Sequence, residues 1–156
     1  MRALLSTMEY AEDAASGSGI PATIGRFEIS GVLGRGGGGV VLAGRDPSLA
    51  RTVAIKLIPE RISAEGRVRF EREARGMAKL GHPNVVTVFE VGEVDGHPFI
   101  AMELVDGQTL RAWQTATSRP WREVVGIYIE AGRGLAAAHD AGLVHRDFKP
   151  DNVLIG

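Results

Sequence analysis

The sequence predicts an α+β fold: a five-stranded antiparallel sheet with one long helix after its third strand, then a mostly helical segment. Three observations predict it. Residues 26–58 hold three short β-type runs with turn chemistry between them, which reads as an antiparallel meander. Residues 64–80 place Phe70, Ala74, Met77 and Ala78 at helical spacing. From Pro120 to about Asp140 apolar residues again recur every three or four positions.

Composition bounds the function. The chain has 156 residues, 44% hydrophobic and 24% charged, with a formal net charge of −1. That is enough apolar material for a core and argues against a disordered chain. A near-zero charge argues against a dedicated nucleic-acid binder. No cysteine is present, which excludes disulfides, zinc ribbons, thiol catalysis and iron–sulfur clusters. No uncharged apolar run approaches the roughly 18–20 residues that span a bilayer. Glu9, Glu12 and Asp13 interrupt the short apolar patch Ala3–Leu5, a poor secretory signal. The expected location is cytoplasmic. Lysine is scarce, at Lys56, Lys79 and Lys149 only, in a chain with 15 arginines.

The elements follow in order. Residues 1–24 read as a flexible tail, with linker chemistry at Ser16-Gly17-Ser18-Gly19 and Ile20-Pro21. Phe27, Ile29 and Leu33 alternate with polar residues as a strand does. Gly34-Arg35-Gly36-Gly37-Gly38-Gly39 is a turn, Val40–Ala43 a second strand, and Asp46-Pro47-Ser48 another turn. Thr52–Ile58 is a third strand rich in β-branched residues. The helix runs from about Ala64 to Leu80, with Ser63 as N-cap and Gly81 just past its end. Val85–Val91 and Phe99–Leu104 are two more strands, joined through Asp95-Gly96. Thr109–Thr115 is a short helix. The helix from Pro120 is expected to gather Trp121, Val124, Val125, Tyr128, Gly132, Leu135 and His139 on one face, and Gly142 ends it. Leu143–Gly156 is a loop leading into an apolar strand.

Three motifs carry chemistry. The first is Gly34-x-Gly36-x-x-Gly39-x-Val41. Glycines let backbone N–H groups approach phosphate closely. A dinucleotide fingerprint needs a helix next, yet Val40-Val41-Leu42 favours a strand. A Walker A loop needs a terminal Gly-Lys-Ser/Thr, absent here. A strand–turn–strand flap over phosphates and a plain hairpin tip both remain open.

The second motif is Val53-Ala54-Ile55-Lys56. A strand lysine usually faces solvent. Glu73 modifies that expectation, because it lies three residues after Phe70 and four before Met77. It reads as an acid within the apolar stripe that needs a cation, and Lys56 is the natural partner. Glu71 instead pairs locally with Arg67 or Arg75.

The third motif is His145-Arg146-Asp147-Phe148-Lys149-Pro150-Asp151-Asn152. One loop holds a possible general base, Asp147, a cation, Lys149, and an amide able to bind a metal, Asn152. A polar surface loop with paired charges is the plain alternative.

Together and in this order, these motifs resemble the Hanks-type protein kinases, most closely the bacterial Ser/Thr branch. The resemblance implies an ATP-binding N-lobe over residues 25–105 and part of a helical C-lobe over 106–156. It implies ATP and Mg²⁺ as cofactors and protein Ser/Thr hydroxyls as acceptors. Leu33, Gly34, Gly36, Gly39 and Val41 would cover the nucleotide. Leu33, Val41 and Ala54 would form the adenine roof and Leu154 the floor. Met102 would be the gatekeeper, with the backbones of Glu103 and Val105 on the adenine edge. Lys56 would bind the α- and β-phosphates and pair with Glu73. Asp147 would be the catalytic base, Lys149 would contact the γ-phosphate, and Asn152 would hold Mg²⁺. His82 and His145 would pack and hydrogen-bond. The Lys149-Pro150 pair resembles Ser/Thr rather than tyrosine kinases.

Departures qualify the expected activity. Gly38 stands where the family usually has a bulkier flap residue, and Phe148 where leucine is commoner. No Asp-Phe-Gly follows Asn152. The resemblance then implies a truncated kinase with little or no transferase activity alone and an apolar patch left on the long helix. A pseudokinase-like module that pairs with a full-length kinase and a non-functional gene fragment are the alternatives. A small-molecule phosphotransferase of similar fold fits Arg146 and Lys149-Pro150 less well.

Overall fold

The computed structural model describes residues 2–3, 20–36, 39–58 and 63–156. The expected flexible tail lies outside the described residues over 4–19. At its ends, Arg2–Ala3 form a short strand, β1, and Thr23–Ile24 another, β2. Gly37 and Gly38, the tip of the glycine turn, also lie outside the described residues. Two compact units form: residues 20–36, 39–58, 63–75 and 88–104 in one, and residues 2–3, 76–87 and 105–156 in the other.

The first unit is built on an antiparallel sheet. Its strands are β2, β3 (Phe27–Gly36), β4 (Gly39–Asp46), β5 (Arg51–Leu57), β6 (Val88–Val94) and β7 (His97–Glu103), in the order β2-β3-β4-β5-β7-β6. Among the described residues the sheet has six strands rather than five. Thr23–Ile24 is too short to show an alternation, yet Ile24 and Phe27 are fully buried and paired across Gly25, at φ +54°.

Strand register separates two faces, because directly opposed residues share one. Leu42, Ile55 and Ala101 align across β4, β5 and β7, and with Ile24, Phe27, Val53 and Phe99 they form the core. The Phe27 and Phe99 rings meet edge to face at 6.0 Å. Val41, Lys56 and Ile100 align on the other face, next to Ala43, Ala54 and Met102.

The turns follow local chemistry. Asp95 (φ +49°) and Gly96 (φ +79°) close the β6–β7 hairpin between Val94 and His97, the left-handed pair that a two-residue turn requires. At the β4–β5 turn the fully buried Asp46 carboxylate accepts bonds from Ser48 N (3.1 Å) and Ser48 Oγ (2.5 Å). Arg26 donates to it twice, at 3.3 Å, and also pairs with Glu90. Arg51 adds a 3.6 Å contact and lays its guanidinium 3.6 Å over the Phe89 ring. These groups tie the start of β3, the β4–β5 turn and β6 together. The Ser48 hydroxyl, then the Arg26 guanidinium, hold the Asp46 carboxyl well below the usual carboxylate range.

Helix α1 spans Ala64–Ala78. Ser63 caps it, accepting from Gly66 N at 3.1 Å. The helix stops before Gly81: Lys79 N and Leu80 N bond back three residues, to Gly76 O and Met77 O, a tight final turn. Arg75 pairs with Glu71 at 3.4 Å, whereas Arg67 reaches Glu93 (2.8 Å) and Gly96 O (2.7 Å). Ala74 and Met77 are buried, but Glu73 is exposed. This corrects the expectation that Glu73 sits in the buried stripe. At about 100° per residue it lies a quarter-turn round from Ala74, on the flank.

The second unit holds β8 (Gln108–Thr109), α2 (Leu110–Ala116), α3 (Trp121–Asp140), a 3₁₀ turn (Pro150–Asn152) and β9 (Val153–Ile155). β9 is the middle strand of a small antiparallel sheet, between β1 and β8. Thr109 caps α2, accepting from Ala112 N at 3.1 Å. Leu110, Trp113, Ala131 and Val153 form the core, with Val124 and Ile127 against it. Arg119 covers the Trp113 ring at 3.8 Å. At the end of α3, Gly142 turns at φ +76° and Leu143 N bonds Ala138 O at 2.9 Å, a Schellman closure.

The packed face of α3 differs from expectation. Ala131, Gly134 and Ala138 are buried, with Val124 and Ile127 half-buried, while Trp121, Val125, Tyr128 and Ile129 are exposed. The helix carries apolar residues nearly all round, and its small residues decide which side approaches a neighbour closely. A Cβ on Gly134 would stand 2.6 Å from Asn84 O. Asn84 anchors its loop by donating from Nδ2 to Glu130 O (2.7 Å) and Glu130 Oε2 (2.8 Å). No helix among the described residues is long and apolar enough to cross a membrane.

Candidate functional site

The sequence-predicted residues fall into two sets, one in each unit. In the sheet unit, Gly36 and Gly39 pair directly and close the β3–β4 hairpin, with Gly39 at φ +117°. Only glycine adopts that backbone readily. Gly34 is opposite Val41, and Val41 is opposite Lys56. Ala54 is opposite Met102. The flap glycines, Val41, Ala54, Lys56 and Met102 are therefore brought to one sheet face by register alone. Leu33 lies within an irregularity of β3, between the Val32 and Gly34 pairings, and is half-buried. Glu103 ends β7 and is half-buried; Val105, also half-buried, belongs to the helical unit.

Lys56 is only 6% exposed. Burial pushes its ammonium down to about 8, because a low-dielectric surrounding disfavours the charged form. The expected Lys56–Glu73 ion pair is not formed among the described residues, and the exposure of Glu73 accounts for that. Lys79, one residue past α1, is exposed.

In the helical unit the loop from His145 to Asn152 is a compact hydrogen-bonded device. Asp147 N bonds His145 O at 2.9 Å across Arg146, which is held at φ +64°. That three-residue turn is rare and strained for a non-glycine residue. Asp147 N also lies 3.3 Å from His145 Nδ1, and the buried His145 ring packs edge-on to Phe148 at 5.7 Å. His145 thus packs and accepts hydrogen bonds, as expected.

Asn152 is 1% exposed. Its Nδ2 donates to Asp147 O (2.8 Å) and Asp147 Oδ2 (3.1 Å). Lys149 Nζ lies 3.3 Å from the same Oδ2. A cation and an amide therefore meet at one oxygen of the Asp147 carboxylate, and Oδ1 of Asp147 has no partner among the described residues. Leu154, one residue into β9, is buried.

The protein kinase domain family model matches residues 27–156. This chain belongs to the protein kinase family. Curated relatives it matches include bacterial Ser/Thr kinases. Serine/threonine-protein kinase pkn2 of Myxococcus xanthus is 40% identical over 133 residues, covering 84% of this chain and 16% of that protein. PknL of Mycobacterium tuberculosis is 40% identical over 133 residues, covering 83% of this chain and 33% of that protein. The kinase domain of PknI from Mycobacterium tuberculosis superposes with a TM-score of 0.75 at 33% identity, over 90% of this chain and 58% of that one. The chain thus spans a third or less of these two curated relatives. Members of the protein kinase family use ATP and Mg²⁺ in general.

The kinase chain also has a feature that the sequence did not disclose. Arg111, at the start of α2, grips Asp151 with two bonds, Nε to Oδ1 at 2.6 Å and NH2 to Oδ2 at 2.7 Å. The pair holds the Asp151 carboxyl below its usual range. Forty residues separate the partners, so no local pattern signals it.

Proposed function

We propose that this kinase chain binds ATP with Mg²⁺ and directs phosphoryl transfer to Ser or Thr hydroxyls of a protein. The single observation that carries the reading is the convergence of Asn152 and Lys149 on one oxygen of Asp147. The side chain is fixed, and its other oxygen faces no protein partner among the described residues. In this reading Asp147 Oδ1 accepts the proton of an incoming hydroxyl. Lys149 offsets negative charge on the transferring group. Lys56 contacts the α- and β-phosphates, and the N–H groups around Gly34, Gly36 and Gly39 lie over them. Leu33, Val41, Ala54, Met102 and Leu154 line the adenine, and the backbones of Glu103 and Val105 bond its edge. Glu73 has no role here.

The donor set fits a magnesium ion only sparingly. Asn152 would hold it, with Asp147 the nearest carboxylate. No group of three or more His, Cys or acidic residues able to hold a metal occurs among the described residues. Mg²⁺ keeps several waters and shares phosphate oxygens, so such a site relies on the nucleotide. When bound, the ion supplies neutralising charge.

The test is ATP titration with and without Mg²⁺, followed by labelled transfer to a generic protein acceptor. Binding in the range of about 1 μM to 1 mM is expected, lost in Lys56→Ala. Transfer, where measurable, should fall by about 10²–10⁴-fold in Asp147→Asn. A chain that binds no ATP at millimolar concentration overturns the reading.

A second reading, a regulatory module that pairs with another kinase chain, is favoured by the exposed Trp121, Val125, Tyr128 and Ile129 on α3. Co-purification with a kinase, lost on Trp121→Glu, would favour it.

A further inference from the structure

We infer that Arg111 is a positioning residue for the Asp147–Asn152 device, acting through Asp151 from outside the loop. The inference rests on the proposed role of that device. Three observations carry it.

First, the contact is a bidentate guanidinium–carboxylate fork, at 2.6 and 2.7 Å. Two parallel bonds fix orientation as well as distance, which a single charge contact does not.

Second, Asp151 is the middle residue of the Pro150–Asn152 turn. That turn is closed by Asn152 N on Lys149 O at 2.9 Å. Its next residue is the one whose amide grips Asp147. A rotation of the turn about its axis would carry Asn152 Nδ2 off both of its acceptors.

Third, Arg111 is itself fixed. It is the second residue of α2, which Thr109 caps and whose Leu110 and Trp113 are buried with Val153 of β9. Thr109 also pairs with Leu154 across β8 and β9. The turn is therefore clamped at two points by one rigid element: through the ladder on its C-terminal side and through the fork at its centre. The fork adds a restraint at the centre of the turn that the ladder does not supply.

The chemistry that follows is specific. Arg111 touches neither substrate nor nucleotide in this reading. It sets the angle at which Asn152 presents its amide, and hence which oxygen of Asp147 is occupied. Its loss should loosen the metal-dependent part of nucleotide binding and leave the sheet residues unaffected.

The experiment uses the full chain, labelled with ¹⁵N, as wild type, Arg111→Ala, Arg111→Lys and the exchange Arg111→Asp with Asp151→Arg. The side-chain amide resonances of Asn152 are followed first. They should move in Arg111→Ala toward those of a solvent-exposed asparagine, move partway in Arg111→Lys, and return in the exchanged pair. ATP binding is then measured with and without Mg²⁺. The gain that Mg²⁺ gives should fall about tenfold in Arg111→Ala, while metal-free binding is unchanged. Should Arg111→Ala lose the α3 amide pattern, Arg111→Gln is read in its place. An Asn152 resonance that does not move in a folded variant overturns the inference. So does an exchanged pair that fails to restore it. If the wild-type chain binds no ATP, the nucleotide reading falls alone, and the amide resonances still decide whether Arg111 positions Asn152.

Discussion

Asn152 reaches back five residues to hold Asp147 at both its carbonyl and its carboxylate, at 2.8 and 3.1 Å. The amide is buried and the acid only partly so. Replacing Asn152 by alanine leaves the Asp147 carbonyl and carboxylate short of donors. Asn152→Ala should lower the unfolding free energy by about 1–3 kcal/mol, read from denaturant midpoints. Asn152→Asp, which sets two carboxylates together, should fare worse still at pH 7. A variant as stable as the wild type would show that these bonds contribute nothing net.

Lys56 predicts an alkaline effect. Its folded value near 8 lies below the ordinary value of 10.5. Between those values the unfolded chain binds more protons than the folded chain, so stability rises with pH across that window. The cost of burying the charge is fully present below the folded value and is relieved as the ammonium deprotonates. The slope is at most about 1.4 kcal/mol per pH unit. Unfolding curves from pH 7.5 to 10.5 should show the rise in the wild type and a flatter profile in Lys56→Met.

Asp46 predicts the opposite end of the scale. Its folded carboxyl is held below the ordinary range by Ser48 and Arg26. The stabilisation is present above the ordinary carboxylate value and is lost as pH falls through the folded one. Acid titration of the sheet unit by amide exchange should show this loss in the wild type. Asp46→Asn should be weaker at pH 6 and less sensitive to acid, and Ser48→Ala should fall between them.

Glycines on α3 predict changes of opposite sign. A side chain on Gly134 would meet Asn84 O at 2.6 Å, while nothing lies within 4 Å of one on Gly126 or Gly132. Gly134→Ala should cost about 1–3 kcal/mol as overpacking. Gly126→Ala and Gly132→Ala should each stabilise by about 0.5–1 kcal/mol. Thermal midpoints of the three variants decide it.

Features written in neighbouring residues were legible. The Asp95-Gly96 turn, the Ser63 cap and the Gly142 stop are local chemistry, and each closes its element as read. The contact among Asp147, Lys149 and Asn152 was legible for the same reason, since all three lie within eight residues. What pairs across distance was not. Thr23–Ile24 owes its strand to β3, and Arg111 meets Asp151 only because β8 and β9 bring the segments together. The face of α3 was misjudged because apolar residues surround that helix, and the close approach at Gly134, not hydropathy, selects the buried side. Glu73 was misplaced for a related reason. Spacing three after Phe70 and four before Met77 was read as placing it within the stripe, whereas it lies on the flank and is exposed.

Both tryptophans of this chain, Trp113 and Trp121, belong to the helical unit. One is buried under the Arg119 guanidinium and the other is open to water. Intrinsic fluorescence will therefore carry a blue-shifted and a red-shifted component, and will follow melting around α2 and α3 alone. The strands that bear Lys56 contribute no indole signal, so their unfolding calls for circular dichroism or amide exchange.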